Sequence, residues 1–126
     1  MLVSMAQILN AAREGGYGVT APNIHNEDTA RAAISAAVEN RAPMILDVGY
    51  SSNCDINFFG HMGGALAKEA DLPIPINLDH GAKYDHAAAA IHACFTSIMV
   101  DRSTLPYAEN VTEVAELAKV PHSVGV

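Results

Sequence analysis

The sequence predicts an α/β fold of four parallel strands with flanking helices, and three observations predict it. Along the 126 residues the apolar periodicity switches repeatedly between helical and strand-like. The strand-like runs are short and nearly continuous in apolar residues, as at 43–48 and 74–78, which is how strands read when both faces are covered. Stretches long enough for helices separate them, so consecutive strands join through right-handed βαβ crossovers in a parallel sheet. Half of the residues are apolar, enough for one domain to bury a core.

Each element has local support. Ser4 reads as the N-cap of a helix over 5–13, which Gly15-Gly16 ends. Residues 18–24 form a short, mostly apolar first strand. Asn26-Glu27-Asp28-Thr29 sets a capping side chain and two acids at the start of a helix over 30–40. The second strand is 43–48, and a loop at 49–53 rich in Gly, Ser and Asn leads to a helix at about 56–70. Strand three follows at 74–78, a helix with four consecutive alanines at 84–93, and strand four at 96–100. The last helix is 106–119, after which Ser123-Val124-Gly125-Val126 reads as a fifth strand that has only begun.

Charge and cysteine usage exclude several classes. Fourteen acidic against seven basic side chains give a net charge of −7, with no Lys or Arg cluster, so neither nucleic acid nor an anionic membrane is an expected partner. Cys54 and Cys94 are far apart and lack a CxxC neighbour, which fits neither a disulfide framework nor a zinc finger, and a reducing cytoplasm is the expected setting. The start, Met-Leu-Val-Ser-Met-Ala-Gln, lacks the basic residues and apolar run of an export signal. No stretch reaches the roughly 18 apolar residues of a membrane span.

In parallel sheets, binding and catalytic residues collect at the carboxyl ends of strands. That rule selects Asn23 and His25, Asp47 and Gly49, Asp79 and His80, and Asp101 and Ser103. Asp79-His80-Gly81 is the most informative group. Two ionisable residues at a strand end are costly unless something pairs with them, and Gly81 is expected to let the backbone turn where a ligand approaches. A neutral imidazole there can bind zinc while the adjacent carboxylate moves a proton. The plainer alternative is that Asp79 caps the next helix and His80 is a solvated surface histidine. Asp101 and Ser103 suit a cation or a hydroxylated substrate, or simply cap the last helix. The Asn23 amide suits a polar ligand or a turn, and His25, one residue beyond the first strand, suits the same pocket or plain solvation. His86 and His92 are six apart, not the i, i+4 spacing of a helical metal pair, and read as structural together with His61 and His122. Neither GxGxxG nor GxxxxGK[ST] occurs, so nucleotide binding has no direct support.

Read in order, the segments Met1-Leu2-Val3-Ser4, Gly15-Gly16-Tyr17-Gly18-Val19, Pro22-Asn23-Ile24, Ala42-Pro43-Met44-Ile45-Leu46, Leu78-Asp79-His80-Gly81, Phe95-Thr96-Ser97-Ile98-Met99-Val100-Asp101 and Glu109-Asn110-Val111 resemble those of class II fructose-bisphosphate aldolases, including their tagatose-bisphosphate branch. The resemblance implies a zinc-dependent TIM (β/α)8 barrel that cleaves a ketose 1,6-bisphosphate into dihydroxyacetone phosphate and glyceraldehyde 3-phosphate. It implies that Asp79 is the proton-transferring acid and His80 one of three zinc histidines. It further implies that Asp101 lies at an alternate cation position and that Asn23 is on the substrate side; Ser103 is taken as a second substrate-side residue. Zinc would polarise the ketone and the carboxylate would take the hydroxyl proton released by cleavage.

Two positions depart from the family's pattern. The family usually follows strand two with a serine-containing loop that touches substrate, whereas Gly49-Tyr50-Ser51-Ser52 begins with glycine, and Arg102 replaces the glycine of the family's common Asp-Gly-Ser, where a long cation is expected to crowd or reshape the site. A full barrel takes about 250 residues, so the chain is expected to be the N-terminal half, residues 1–126 ending at the start of the fifth strand. The family's other two zinc histidines, its phosphate-binding glycine loops and a later glutamate would lie beyond Val126. One histidine is not a catalytic zinc site, so the isolated half is expected to be inactive, and the unpaired edges of a half-barrel lead to the expectation of a homo-oligomer. A competing reading is a non-catalytic half-barrel that assembles with itself or a partner chain. A domain that binds a phosphate at its helix N-termini is a third.

Overall fold

The computed structural model describes residues 1–51 and 55–126, so part of the loop expected at 49–53, and Cys54, lie outside the described residues. Three strands, β1 (Leu46–Gly49), β2 (Ile76–Gly81) and β3 (Ser97–Val100), form one parallel sheet in that order. Among the described residues five helices accompany it: α1 (Met5–Gly15), α2 (Glu27–Asn40), α3 (Ile56–Glu69), α4 (Tyr84–His92) and α5 (Tyr107–Ser123). Their ends follow the local chemistry. Asn26 accepts a hydrogen bond from the Thr29 N–H at 2.9 Å at the head of α2, Asp55 does the same for Phe58 at 2.9 Å at the head of α3, and Gly16 closes α1 with φ of 67°.

Among the described residues the expectation of four strands is corrected to three. Residues 18–24 run beside β1 without forming a named strand and pair with its side of the sheet in isolated bridges, Thr20 to Met44 and Asn23 to Asp47. Ile45 N–H donates to the Thr20 carbonyl at 2.9 Å, and Ile24 N–H donates to the Asp47 carbonyl at 2.8 Å. Between these sits Pro22, which accepts from Asp47 N–H at 3.3 Å but has no N–H of its own. The donor that would join the two bridges into a ladder is therefore missing. The expected fifth strand is corrected too. α5 continues through a buried Pro121 to Ser123, and Val126 N–H then turns back to the Pro121 carbonyl at 2.9 Å. A run as short as Ser-Val-Gly-Val is compatible with either state, and periodicity alone does not decide it.

The two faces of the sheet differ. Leu46 and Val48 on β1 and Ile76 and Leu78 on β2 are fully buried, in one apolar cluster with Ile24, Met44, Phe59 and Phe95. The residues between them, Asp47, Asn77 and Asp79, are only half-buried and point to the other face by the alternation of the pleat. Lateral register pairs Asn23 with Asp47, Asp47 with Asn77 and Asn77 with Ser97, so a polar row crosses the sheet. On the apolar face α3 packs against α4, and Gly60 sets their approach. A Cβ on Gly60 would strike the Ala93 carbonyl and come within 2.8 Å of the Phe95 ring.

Candidate active site

The end of β2 is irregular where the two ionisable residues lie. Leu78 pairs with Ile98 and Gly81 with Val100, so β2 sets two residues, Asp79 and His80, against the single Met99 of β3. A bulge of this kind bends the strand and re-aims side chains. His80 absorbs the bend with φ of 54°, in the left-handed region. For a residue with a Cβ this costs about 1–3 kcal/mol and must be held by its surroundings. The turn expected of Gly81 is thus made by His80 itself. Gly81 is needed for space: a Cβ there would lie 2.9 Å from Leu78 Cδ2 and 3.2 Å from the Met99 carbonyl oxygen.

The bend brings the ionisable residues of two strand ends together. His80 Nδ1 lies 2.6 Å from Asp101 Oδ2, just past β3, and His80 Nε2 lies 3.7 Å from Asp79 Oδ2. The other oxygen of Asp101 accepts from the Ser103 hydroxyl at 2.6 Å and from the Ser103 N–H at 3.0 Å. These bonds, with the His80 contact, hold the Asp101 carboxyl well below the usual carboxylate range. His80 is raised in turn, first by its bond to Asp101 and then by the charge of Asp79. With Nδ1 committed to a carboxylate, Nε2 is the nitrogen left for a metal, the arrangement that fixes tautomer and ring direction in metal-binding histidines. The donor chemistry therefore fits one ligand of a zinc site. Among the described residues no three His, Cys, Asp or Glu side chains cluster as a metal site.

Of the five residues given site roles from the sequence, four, Asp79, His80, Asp101 and Ser103, thus join in one chain of contacts. Asn23 does not join them. It is exposed beside Asp47, one register position along the polar row. Ser103 binds Asp101, the local turn that Asp side chains form with the residue two further on.

Two features escaped the sequence reading. Asp47 was named only as a strand end, and the structure pairs it with Asn77, whose Nδ2 donates to Asp47 Oδ1 at 2.8 Å. Burial raises the Asp47 carboxyl, the Asn77 bond opposes that, and the nearby charge of Asp79 adds to the rise. The signal was present: Asn77 interrupts an apolar strand, directly opposite another polar position. The second feature is Arg102, which turns away from Asp79 and His80 rather than crowding them. Its guanidinium donates to the Ala82 carbonyl at 2.6 Å and forms an ion pair with Glu113 of α5. His86, read as structural, is buried with its ring stacked on Tyr50 at 3.3 Å between centroids.

With this geometry in view, the chain can be compared with known proteins. The family model described as "Fructose-bisphosphate aldolase class-II" matches residues 3–126. A "Probable fructose-bisphosphate aldolase" of Bacillus subtilis (strain 168) is 38% identical over 99% of this chain and 46% of its own length. A "Fructose-bisphosphate aldolase" of Thermus caldophilus is 37% identical over 100% of this chain and 42% of its own. Among solved structures, the YdjI aldolase of Escherichia coli K12 superposes with a TM-score of 0.93 at 26% identity, covering 100% of this chain and 48% of that one. The chain spans about half the length of the relatives it matches.

Proposed function

Since this chain belongs to the class II fructose-bisphosphate aldolase family, we propose that it supplies the N-terminal half of a (β/α)8 barrel that cleaves a ketose 1,6-bisphosphate reversibly into dihydroxyacetone phosphate and glyceraldehyde 3-phosphate. The observation that carries the reading is the contact chain Asp79–His80–Asp101 at neighbouring strand ends.

His80 would hold zinc through Nε2, with further ligands from outside this chain, because catalytic zinc takes about three protein ligands. Zinc, when bound, would polarise the ketone and offset the negative charge that develops as the carbon–carbon bond breaks. Asp79 takes the proton of the hydroxyl that becomes the aldehyde, while the electron pair of the broken bond stays on the fragment beside the ketone. Its distance from Nε2 suits this role: close enough to the metal ligand to meet the reacting oxygen, and free of a direct hydrogen bond to it. Asp101 fixes the imidazole and stands within reach of an alternate cation position. Asn23 and Ser103 are substrate-side, Asn23 through its open amide and Ser103 at the rim beside Asp101.

In the assembled enzyme, Asp79→Asn lowers kcat by about 10²–10⁴-fold, the usual worth of a positioned acid or base, with KM little changed. An Asp79→Asn enzyme within threefold of wild type would overturn the assignment. A second reading keeps the fold without the chemistry, a half-barrel completed by a second copy, and draws on the chain's span of about half its relatives. A defined oligomer without metal in solution favours it; a monomer counts against it.

A further inference from the structure

We infer that Arg102 is a positioning residue, a clamp that holds the strained His80 against Asp101 by tying the link after β2 to α5. The inference rests on the reading of Asp79, His80 and Asp101 as one site and adds to it a residue that touches neither substrate nor metal.

Histidine enters the left-handed region more readily than most residues with a Cβ but still at a cost, so the neighbours of His80 must hold it there. On the side before it, Tyr50 N–H holds the Asp79 carbonyl at 3.2 Å. On the side after it, Asp101 N–H holds the Gly81 carbonyl at 3.3 Å, a long and weak bond. The short one there is the guanidinium of Arg102 on the Ala82 carbonyl at 2.6 Å, strengthened by its charge. Arg102 also follows Asp101 directly. It therefore grips both chain segments whose side chains meet in the contact between His80 and Asp101.

The clamp is itself anchored. Glu113 binds the guanidinium, and the Asn110 side chain donates to the Arg102 carbonyl at 2.9 Å. Asn110 and Glu113 are three apart on α5 and share a face, so one turn of helix grips both the backbone and the side chain of Arg102. Only 24% of the Arg102 side chain is exposed, and its Nε is buried without a partner among the described residues. A burial that leaves one donor unpaired is costly, which fits a side chain kept for geometry. The forked head is what the role needs. Lysine offers one point charge and cannot hold the Ala82 carbonyl and the Glu113 carboxylate in one fixed plane.

The test is the tautomer of the His80 ring, read by ¹⁵N NMR on the metal-free chain at a pH above the end of the ring's own titration, followed in the same spectra. In wild type, one tautomer with the proton on Nδ1 is expected. Arg102→Gln loses that preference and shows both tautomers in a folded protein, and Arg102→Lys restores it only in part. Glu113→Gln, which frees the far end of the clamp alone, gives an intermediate result and carries the test if Arg102→Gln fails to fold. An unchanged His80 tautomer in both Arg102→Gln and Glu113→Gln overturns the inference. Because no metal is present, a failure of His80 to bind zinc in wild type counts against the aldolase site and leaves the tautomer result standing. Where wild type does bind zinc, Arg102→Gln raises the Kd about tenfold, the low end for groups that orient a metal ligand.

Discussion

At the scale of single residues, the contact between His80 and Asp101 makes stability depend on pH in a definite window. Asp101 is depressed in the fold, so its share is present above its unperturbed value of 3.8 and is lost as pH falls through the lower folded value. His80 is raised, so its share is fully present below its unperturbed 6.5 and is lost as pH rises through the higher folded value. The pair therefore stabilises most between about pH 4 and 6.5. Urea midpoints of wild type and Asp101→Asn should differ most in that window, and the gap should narrow above it by the share of His80 while the share of the Ser103 bonds remains; a gap that stays constant to pH 9 would contradict the pairing. Asp47 works with the opposite sign. Burial raises its carboxyl, so the ionised form costs stability once pH exceeds 3.8. Asp47→Asn, which keeps an acceptor for Asn77, is expected to raise the midpoint at pH 7 and to have little effect near pH 3. Asp79 and His80 were legible in the sequence because two ionisable residues at the end of an apolar run demand partners. The left-handed turn at His80 was not, since it comes from the bulge against β3, a match between segments about twenty residues apart. Nor was the direction of Arg102, which Glu113 and Ala82 decide.

At the scale of elements, helix heads and the centres of strands could be read from local chemistry, because caps and apolar runs act within a few residues. Ser4, Asn26 and Gly16 mark their helices as expected. Where one residue changed a pairing, reading by pattern failed: Pro22 broke the first strand into bridges, and β2 ran on to Gly81 because Asp79 and His80 stay in the sheet through the bulge. Close approach of helices was also hidden, since a glycine in a helix reads as a weakness. Gly60→Ala should favour an isolated helix by up to about 1 kcal/mol, yet the Cβ collides with Ala93 and Phe95. The expected outcome is a lower melting temperature, and an unchanged or higher one would show that α3 and α4 adjust freely. Phe95→Ala, at a side chain 1% exposed, should cost about 3–5 kcal/mol by the same measurement.

For the whole molecule, the sheet has a covered apolar face and a polar row on the other. The row of Asn23, Asp47, Asn77 and Ser97 could not be read from any one strand, because it exists only in the lateral register. No helix among the described residues is long and apolar enough to cross a membrane. The central claim is that Asp79, His80 and Asp101 form one edge of a zinc site whose other ligands come from elsewhere. The coding DNA past Val126 bears on it: a continuation with a strand carrying Glu and two later strands ending in His would supply them. The direct measurement is a calorimetric zinc titration of the 126-residue chain alongside His80→Ala, with aldol cleavage assayed on the same samples. The account predicts weak binding that His80→Ala abolishes, and no cleavage of fructose 1,6-bisphosphate. Tight, stoichiometric zinc with cleavage lost in Asp79→Ala would contradict it and point to ligands shared between copies of the chain; zinc binding unchanged in His80→Ala would remove His80 from the site altogether.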